Sequence, residues 1–376
     1  MKVRAAVLRE MGLPAPYAES RPLQIETVDL APPGPGEVQV RVRAAGLCHS
    51  DLSVIDGSRP RVMPMVLGHE AAGTVCALGE GVGDLAVGDA VVFSFVPSCG
   101  HCAPCAEGRA ALCEPGARAN TAGSLLSGAR RWQQHGSPLH HHLGVSGFAE
   151  QTVVSARSVV KVDRELDPAI AALFGCAVMT GVGAVVNTAA VRPGQSVAVF
   201  GLGGVGLAAV LGAVAAGAYP IIAVDPLPAK RALALSLGAS QALAAGDQTV
   251  AAIREATQGG VAYAFETVGS EKVLEQAYLA TRRGGTTVTA GLPHPSRMLS
   301  IPAVSLVAEE RILKGSYMGS AVPSRDLPRY LALYRAGRLP VDRLLSQRLR
   351  LEAINEAFDR LARGEAVRQV IEFDGD

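Results

Sequence analysis

The stretch Val197–Gly206, VAVFGLGGVG, decides how this chain is read. Four apolar residues run into glycines 201, 203 and 206, a G-x-G-x-x-G spacing placed where a buried strand gives way to an alanine-rich helix. Gly201 can make the tight turn, Gly203 lets the backbone approach a pyrophosphate, and Gly206 allows close packing of helix on strand. Gly204 lies in the same loop, and a phosphate there would sit on the free N–H groups at the positive end of the helix. Nineteen residues past Gly206, Asp225 ends the next strand, IIAVD. Its carboxylate can accept hydrogen bonds from the adenosine ribose and would repel a 2′-phosphate, which points to NAD rather than NADP. Lys230 can reach the same ribose.

From Val191 onward strand and helix alternate: VAVF, an alanine-rich helix, IIAVD, a helix around PAKRALALSLGA, AYAFETVG, a helix from Glu271, then GGTTVTAGLP. That rhythm predicts a parallel sheet with right-handed crossovers. Ser196–Val224 holds no charged residue and passes the length test for a membrane helix. Its six glycines and Pro220 instead favour a buried strand, helix, strand unit. Upstream, residues 1 to about 175 are rich in β-branched alternating segments such as EVQVRVRAAG, which predicts a mostly β domain. After about Tyr317, amphipathic helices at DLPRYLALYRAG and LEAINEAFDRLARGE precede a last strand, RQVIEF. Local pattern leaves open whether that strand extends the parallel sheet or returns to the first domain.

A chain of 376 residues is long enough for two domains. Its net charge of +1 favours neither nucleic acid nor an anionic membrane, so small molecules are the expected partners. Arginines interrupt the N-terminal apolar run, which therefore does not read as a secretory signal, and the cytoplasm is the expected compartment.

Thiols stay reduced there, so clustered cysteines point to metal rather than to disulfides. Cys99, Cys102, Cys105 and Cys113 fall in one fifteen-residue stretch, CGHCAPCAEGRAALC. Four thiolates can close a tetrahedral zinc site with no open position, the mark of a structural ion. Three cysteines remain. Cys48 opens CHSD and His69 lies in GHE, and with Cys176 they would supply the three ligands of a catalytic zinc. They are far apart in sequence, so packing roles for them stay open at this point. Cys76 reads as a packing residue, and His140–His142 as loop histidines.

Taken together, GLCHSD, GHEAAGTVCALGEGV, the four-cysteine lobe, HHLGVSGFAEQTVV, GCAVMTGVGA, VFGLGGVG with IIAVD, and INEAFDRLARGEAVRQVIEF resemble the zinc-dependent medium-chain alcohol dehydrogenases, in the family's order and over nearly the whole chain. The resemblance implies an α/β protein: a GroES-like β-rich catalytic domain, residues 1–177 and 318–376 with the lobe at about 97–115, split by a Rossmann NAD-binding domain, 178–317. It implies two zinc ions per chain, with Cys48, His69 and Cys176 on the catalytic one and the four lobe cysteines on the structural one. Glu70 matches a carboxylate beside the metal, Asp51 the acid that orients His69, and Ser50 the hydroxyl that takes the alcohol proton. His49 and Arg368 match donors to the pyrophosphate, Thr180 and Val205 match residues packing behind the nicotinamide, and Val268 is a further expected cofactor contact. Many members end the proton relay in a histidine where this chain has Ser53, and a serine hydroxyl has no pKa near neutrality.

The implied activity is reversible oxidation of a primary alcohol to an aldehyde with hydride transfer to NAD. Phe95, Leu143 and Leu292 fall near family pocket positions and suggest an apolar slot for an aliphatic or aromatic alcohol. Arg59 and Arg118 fall near the channel mouth, so the S-(hydroxymethyl)glutathione branch of the family is the enzymatic alternative. A non-catalytic protein that keeps NAD and zinc is the alternative of another class. The family also implies a homodimer, or a tetramer, with residues 298–319 near the interface.

Overall fold

The computed structural model describes residues 1–373, which divide into two units. The first holds Met1–Cys176, Val322–Pro328 and the chain from Leu345 onward; the second holds Ala177–Ala321 and Arg329–Leu344. The sequence reading placed all of 318–376 in the first domain. The structure instead assigns 318–321 and 329–344 to the second, and the boundary at Pro328 falls inside the helix Pro323–Arg335. The division thus falls within one amphipathic helix, which periodicity alone does not reveal.

Strands Lys2–Leu8, Leu23–Leu30, Trp132–Gln134, Ser137–His141 and Met65–Val66 close a barrel in the first unit. Its interior is filled by alternating inward residues, among them Val3, Ala5, Val7, Val28, Leu30, Trp132 and Leu139, as expected for half-buried strands. A seven-stranded sheet adjoins it in sequence, centred on Glu37–Gly46. Arg368–Glu372 pairs antiparallel with that central strand, with Val370 opposite Gly46. The last strand therefore returns to the first unit and does not extend the parallel sheet.

Six parallel strands form the second unit, in the order Gln241–Leu243, Ile221–Val224, Val197–Phe200, Val261–Glu266, Thr281–Thr289, Ile312–Gly315. Val197–Phe200 and Ile221–Val224 are fully buried and flank the helix Gly204–Ala215, so Ser196–Val224 is a strand, helix, strand unit. The helical run long and apolar enough to cross a membrane is a different one, Pro168–Ala189, and 94 % of its most apolar window is buried inside the protein. It carries Cys176 in a π-helical turn, Phe174–Val178. Such turns re-aim side chains and are frequent at functional sites.

Candidate metal centre and cofactor loop

Three separate elements of the first unit bring Cys48, His69 and Cys176 together. Cys48 caps the helix His49–Ile55, where its sulfur accepts the N–H of Asp51, and the Asp51 carboxylate accepts the N–H of Cys48 in return at 3.3 Å. A helix N-terminus favours the thiolate form. His69 immediately precedes the strand Glu70–Leu78. Cys176 is brought close because Gly175 lies against the Phe93 carbonyl, leaving no room for a Cβ.

The ligand atoms of Cys48, His69 and Cys176 all lie within 4.8 Å of one another, and His69 Nε2 is 3.3 Å from Cys176 Sγ. Zinc bonded to sulfur at about 2.3 Å and to nitrogen at about 2.0 Å sets tetrahedral ligands roughly 3.5 Å apart, so the donor set fits that ion with a position to spare. Asp51 is fully buried and accepts from His69 Nδ1 at 3.1 Å and from the Gly68 N–H at 3.3 Å. That contact fixes the tautomer and leaves Nε2, the atom facing Cys176, with its lone pair available to a metal. Burial works against the Asp51 carboxylate, but His69 and His142 beside it outweigh burial and lower its pKa. Burial opposes a charged His69 too, yet the adjacent Asp51 raises it well above the usual imidazole range. Proton sharing with Cys176 holds Cys48 well below the thiol range and pushes Cys176 above it.

Glu70 is fully buried, and neither carboxylate oxygen has a hydrogen-bond partner among the described residues. Burial pushes it up to about 7, against the pull of the Arg368 guanidinium 3.7 Å away. An orphaned carboxylate of this kind is what a nearby cation would stabilise. Arg368 is itself buried and donates to the Leu47 carbonyl at 3.1 Å. Ser50 is half-buried in the same first helical turn as the exposed His49, while the Ser53 hydroxyl donates back to the His49 carbonyl at 2.8 Å.

The four lobe sulfurs also lie within 4.8 Å of one another, and Cys102 Sγ is 4.0 Å from Cys113 Sγ. Backbone N–H groups of Cys99 and Gly116 donate to Cys113 Sγ, and that of Cys102 to Cys99 Sγ, as a thiolate cluster requires. Burial raises the Cys99 thiol, but backbone donation from His101 and Cys102 brings it down to about 6; burial pushes Cys105 up to about 12. All seven cysteines are free. Cys76 is half-buried on its strand, where its thiol donates to the Thr74 carbonyl.

Of the five expected pocket residues, two are buried in the first unit and one of them, Phe95, meets His69. The Phe95 ring meets His69 edge-on, 5.5 Å between centroids, and Leu143 is buried on the loop after His142. Arg118 is exposed on the helix Glu114–Ala122, Arg59 is half-buried with a partner of its own, and Leu292 is an exposed residue of the second unit. The histidine run is not a plain loop. His140 and His141 end a barrel strand, and His142 is buried beside Asp51, because the chain turns inward immediately after that strand.

In the second unit Gly201 has φ 89°, the left-handed conformation a tight turn needs. A Cβ on Gly206 would collide with the Gly201 carbonyl, whereas one on Gly203 would meet nothing within 4 Å. That free space lies at the N-cap of the helix Gly204–Ala215, where no side chain caps the first N–H groups, a setting that favours an anion. Asp225 lies at the end of its strand, and its two oxygens accept the N–H groups of Leu202 and Leu227 at 2.8 and 2.9 Å, which ties it to the glycine loop. Lys230 is half-buried in the following helix. Thr180 is buried, Val205 half-buried and Val268 exposed; Gly181 lets its helix close on the Val205 carbonyl. Sequence reasoning missed Glu266, whose Oε1 accepts from Val268 N and Gly269 N at 2.7 and 2.6 Å and whose Oε2 accepts from the Thr289 hydroxyl at 2.7 Å. A carboxylate closing the apolar strand Val261–Glu266 was the available signal.

Comparison with known proteins agrees with this architecture. Residues 34–164 match the alcohol dehydrogenase GroES-like domain and residues 204–336 the zinc-binding dehydrogenase domain. The chain is 40 % identical over 375 residues to an NDMA-dependent alcohol dehydrogenase of Amycolatopsis methanolica, covering 99 % of each chain. It is also 40 % identical to a geraniol dehydrogenase of Castellaniella defragrans, over 99 % of this chain and 98 % of that one. The crystal structure of benzyl alcohol dehydrogenase from Acinetobacter calcoaceticus superposes with a TM-score of 0.92 at 32 % identity, covering all of both chains. With both domain families matched in order and relatives aligned end to end, the chain belongs to the zinc-dependent medium-chain alcohol dehydrogenases.

Proposed function

We propose that the protein oxidises a primary alcohol, aliphatic or aromatic, to the aldehyde, reversibly, using NAD and one catalytic zinc, with a second zinc holding the lobe. The observation that carries this reading is the convergence of Cys48, His69 and Cys176 with Asp51 bonded behind His69. Zinc bound there supplies Lewis acidity that makes an alcohol hydroxyl acidic near neutral pH, and NAD supplies the hydride acceptor. Asp51 Oδ1 holds the proton of His69 on Nδ1. The uncapped N–H groups of Gly204–Gly206 bind the cofactor pyrophosphate, and Asp225 takes the ribose hydroxyls. Ser50 Oγ accepts the substrate proton. Ser53 is committed to the His49 carbonyl, which supports onward passage through the cofactor ribose and water rather than through Ser53.

The buried Phe95 beside His69 and the buried Leu143 next to His142 favour an apolar alcohol, in keeping with relatives named for geraniol and benzyl alcohol. The reading also includes the cytoplasm as compartment and a second copy of the chain as partner. Ile312–Gly315 is an edge strand of the six-stranded sheet, and Val304 and Val307 are exposed beside it in sequence, features that support a dimer. A monomer by light scattering would retire the dimer.

Zinc content is measured together with turnover of benzyl alcohol, geraniol, a long primary alcohol, and formaldehyde with and without glutathione. Each is assayed with added NAD and, because one relative is named NDMA-dependent, with NDMA in its place. Two zinc ions per chain and NAD reduction by the apolar alcohols is the expected result. Activity confined to formaldehyde plus glutathione would move the enzyme to the other branch. Turnover that ignores added NAD but responds to NDMA would correct the acceptor, and one zinc without turnover would leave a binding protein.

A further inference from the structure

His142 is fully buried, yet its Nδ1 has no aligned hydrogen-bond partner among the described residues. The polar atom placed within reach is Asp51 Oδ1, 3.1 Å away and off the line of the N–H, the same oxygen that accepts from His69 Nδ1 at 3.1 Å. The His142 ring also stands edge-on to the His69 ring, 5.5 Å between centroids at 87°. Phe95 meets His69 edge-on at the same centroid distance and 88°. His69 is therefore confined by two rings and by one carboxylate that it shares.

The chain spends conformational energy to put His142 there. Leu143 and Ser146 both take positive φ, 50° and 53°, uncommon for residues with a Cβ. The turn is closed by His142 N–H on Ser146 Oγ at 3.0 Å and by Val145 N–H on the His142 carbonyl at 3.0 Å. Thr152 pins the loop through the Val145 carbonyl at 2.7 Å. A strained, cross-braced turn that ends with a polar ring against a buried carboxylate is a built placement rather than a loose loop.

We propose that His142 is a positioning residue of the metal centre: with His69 it shares Asp51 Oδ1 and, packed edge-on, fixes the direction in which His69 presents Nε2 to the metal. The proposal rests on zinc binding at Cys48, His69 and Cys176. With one Asp51 oxygen 3.1 Å from the Nδ1 atoms of both His69 and His142, the carboxylate cannot swing toward the metal, and the His69 ring cannot tilt without displacing a neighbour. Groups of this kind typically govern metal affinity by about 10–100-fold.

The test compares wild type with His142→Phe, which keeps a ring but no donor, and His142→Asn, which restores an N–H near the Nδ1 position. Release of zinc from the holoenzyme to a chromogenic chelator is followed in each, and the ligand-field spectrum is recorded with cobalt in the centre. His142→Phe is expected to release the centre's metal at least about tenfold faster, with an altered cobalt spectrum and kcat reduced more than KM. The lobe's metal should leave at the wild-type rate, and His142→Asn should recover most of the retention. Wild-type release from His142→Phe, or equally fast release from both variants, overturns the proposal. If His142→Phe does not fold, Ser146→Ala loosens the same turn and should speed release about threefold; unchanged release again overturns it. A wild-type protein that binds metal only in the lobe would refute the zinc assignment itself, a result distinct from wild-type-like release by a variant.

Discussion

The Cys99–Cys113 lobe and the Cys48–His69–Cys176 cluster set similar potential metal ligands in opposite settings. The lobe's four sulfurs come from one loop, three of them only half-buried, and its own backbone N–H groups serve those sulfurs. The centre's three ligands are buried and come from a helix cap, a strand entry and a π-turn, with Asp51, Glu70, His142 and Arg368 packed around them. A full ligand set satisfied locally can only hold its loop in shape. An incomplete set backed by buried charge has both an open position and the means to tune what binds there.

That contrast breaks most readily on turnover. Cys48→Ala or His69→Ala should abolish alcohol oxidation and remove one zinc of two, with circular dichroism and lobe zinc kept; full activity in the zinc-depleted variant would sink the assignment. Cys105→Ser should do the reverse. It should lower Tm by about 5 °C or more, which corresponds to roughly 2 kcal/mol in a domain of this size, while the molecules that stay folded keep their kcat. Equal loss of kcat and Tm in both variants would erase the distinction.

A third variant sharpens the comparison by leaving both clusters alone. Gly203→Val fills the open space at the helix N-cap, so NAD affinity measured by calorimetry should fall about tenfold or more, about 1.4 kcal/mol, with two zinc ions retained. Unchanged affinity would move the pyrophosphate elsewhere. The smallest effect is in protons. A thiol whose pKa is raised above ambient pH must lose its proton to bind zinc, so affinity climbs with pH until that pKa is passed. In the lobe, Cys105 at about 12 and the raised Cys113 are protonated at pH 7, whereas Cys99 at about 6 is already largely thiolate. Refilling the lobe at pH 7 should therefore release at least about two protons, read from calorimetry in buffers of different ionisation enthalpy. Release near zero would mean that the thiolates form before the metal arrives.

Much of this was legible beforehand because the information is local. The glycine spacing, its flanking strands and Asp225 lie within thirty residues, and the lobe within fifteen. Cys48, His69 and Cys176 were legible only through the family's motifs, since their spacing carries no geometric message. His142 is a loop residue as read, whereas His140 and His141 end a strand; its place against Asp51 was not legible because it depends on the inward turn at Leu143–Ser146. Glu266 was missed because its value lies in amides that follow it and in Thr289, a strand away.

The sequence by itself determined the parallel sheet with its glycine-rich turn and the local four-cysteine loop, because hydrophobic period, glycine geometry and close cysteine spacing act over a few bonds. The family resemblance already implied that the C-terminal segment returns to the first domain; only the tertiary structure decided that its last strand pairs with Glu37–Gly46, that the division between units falls within one helix, and that His142 stands against Asp51. Those outcomes depend on which distant surfaces exclude water together and which buried charges must be matched, and no local pattern encodes either.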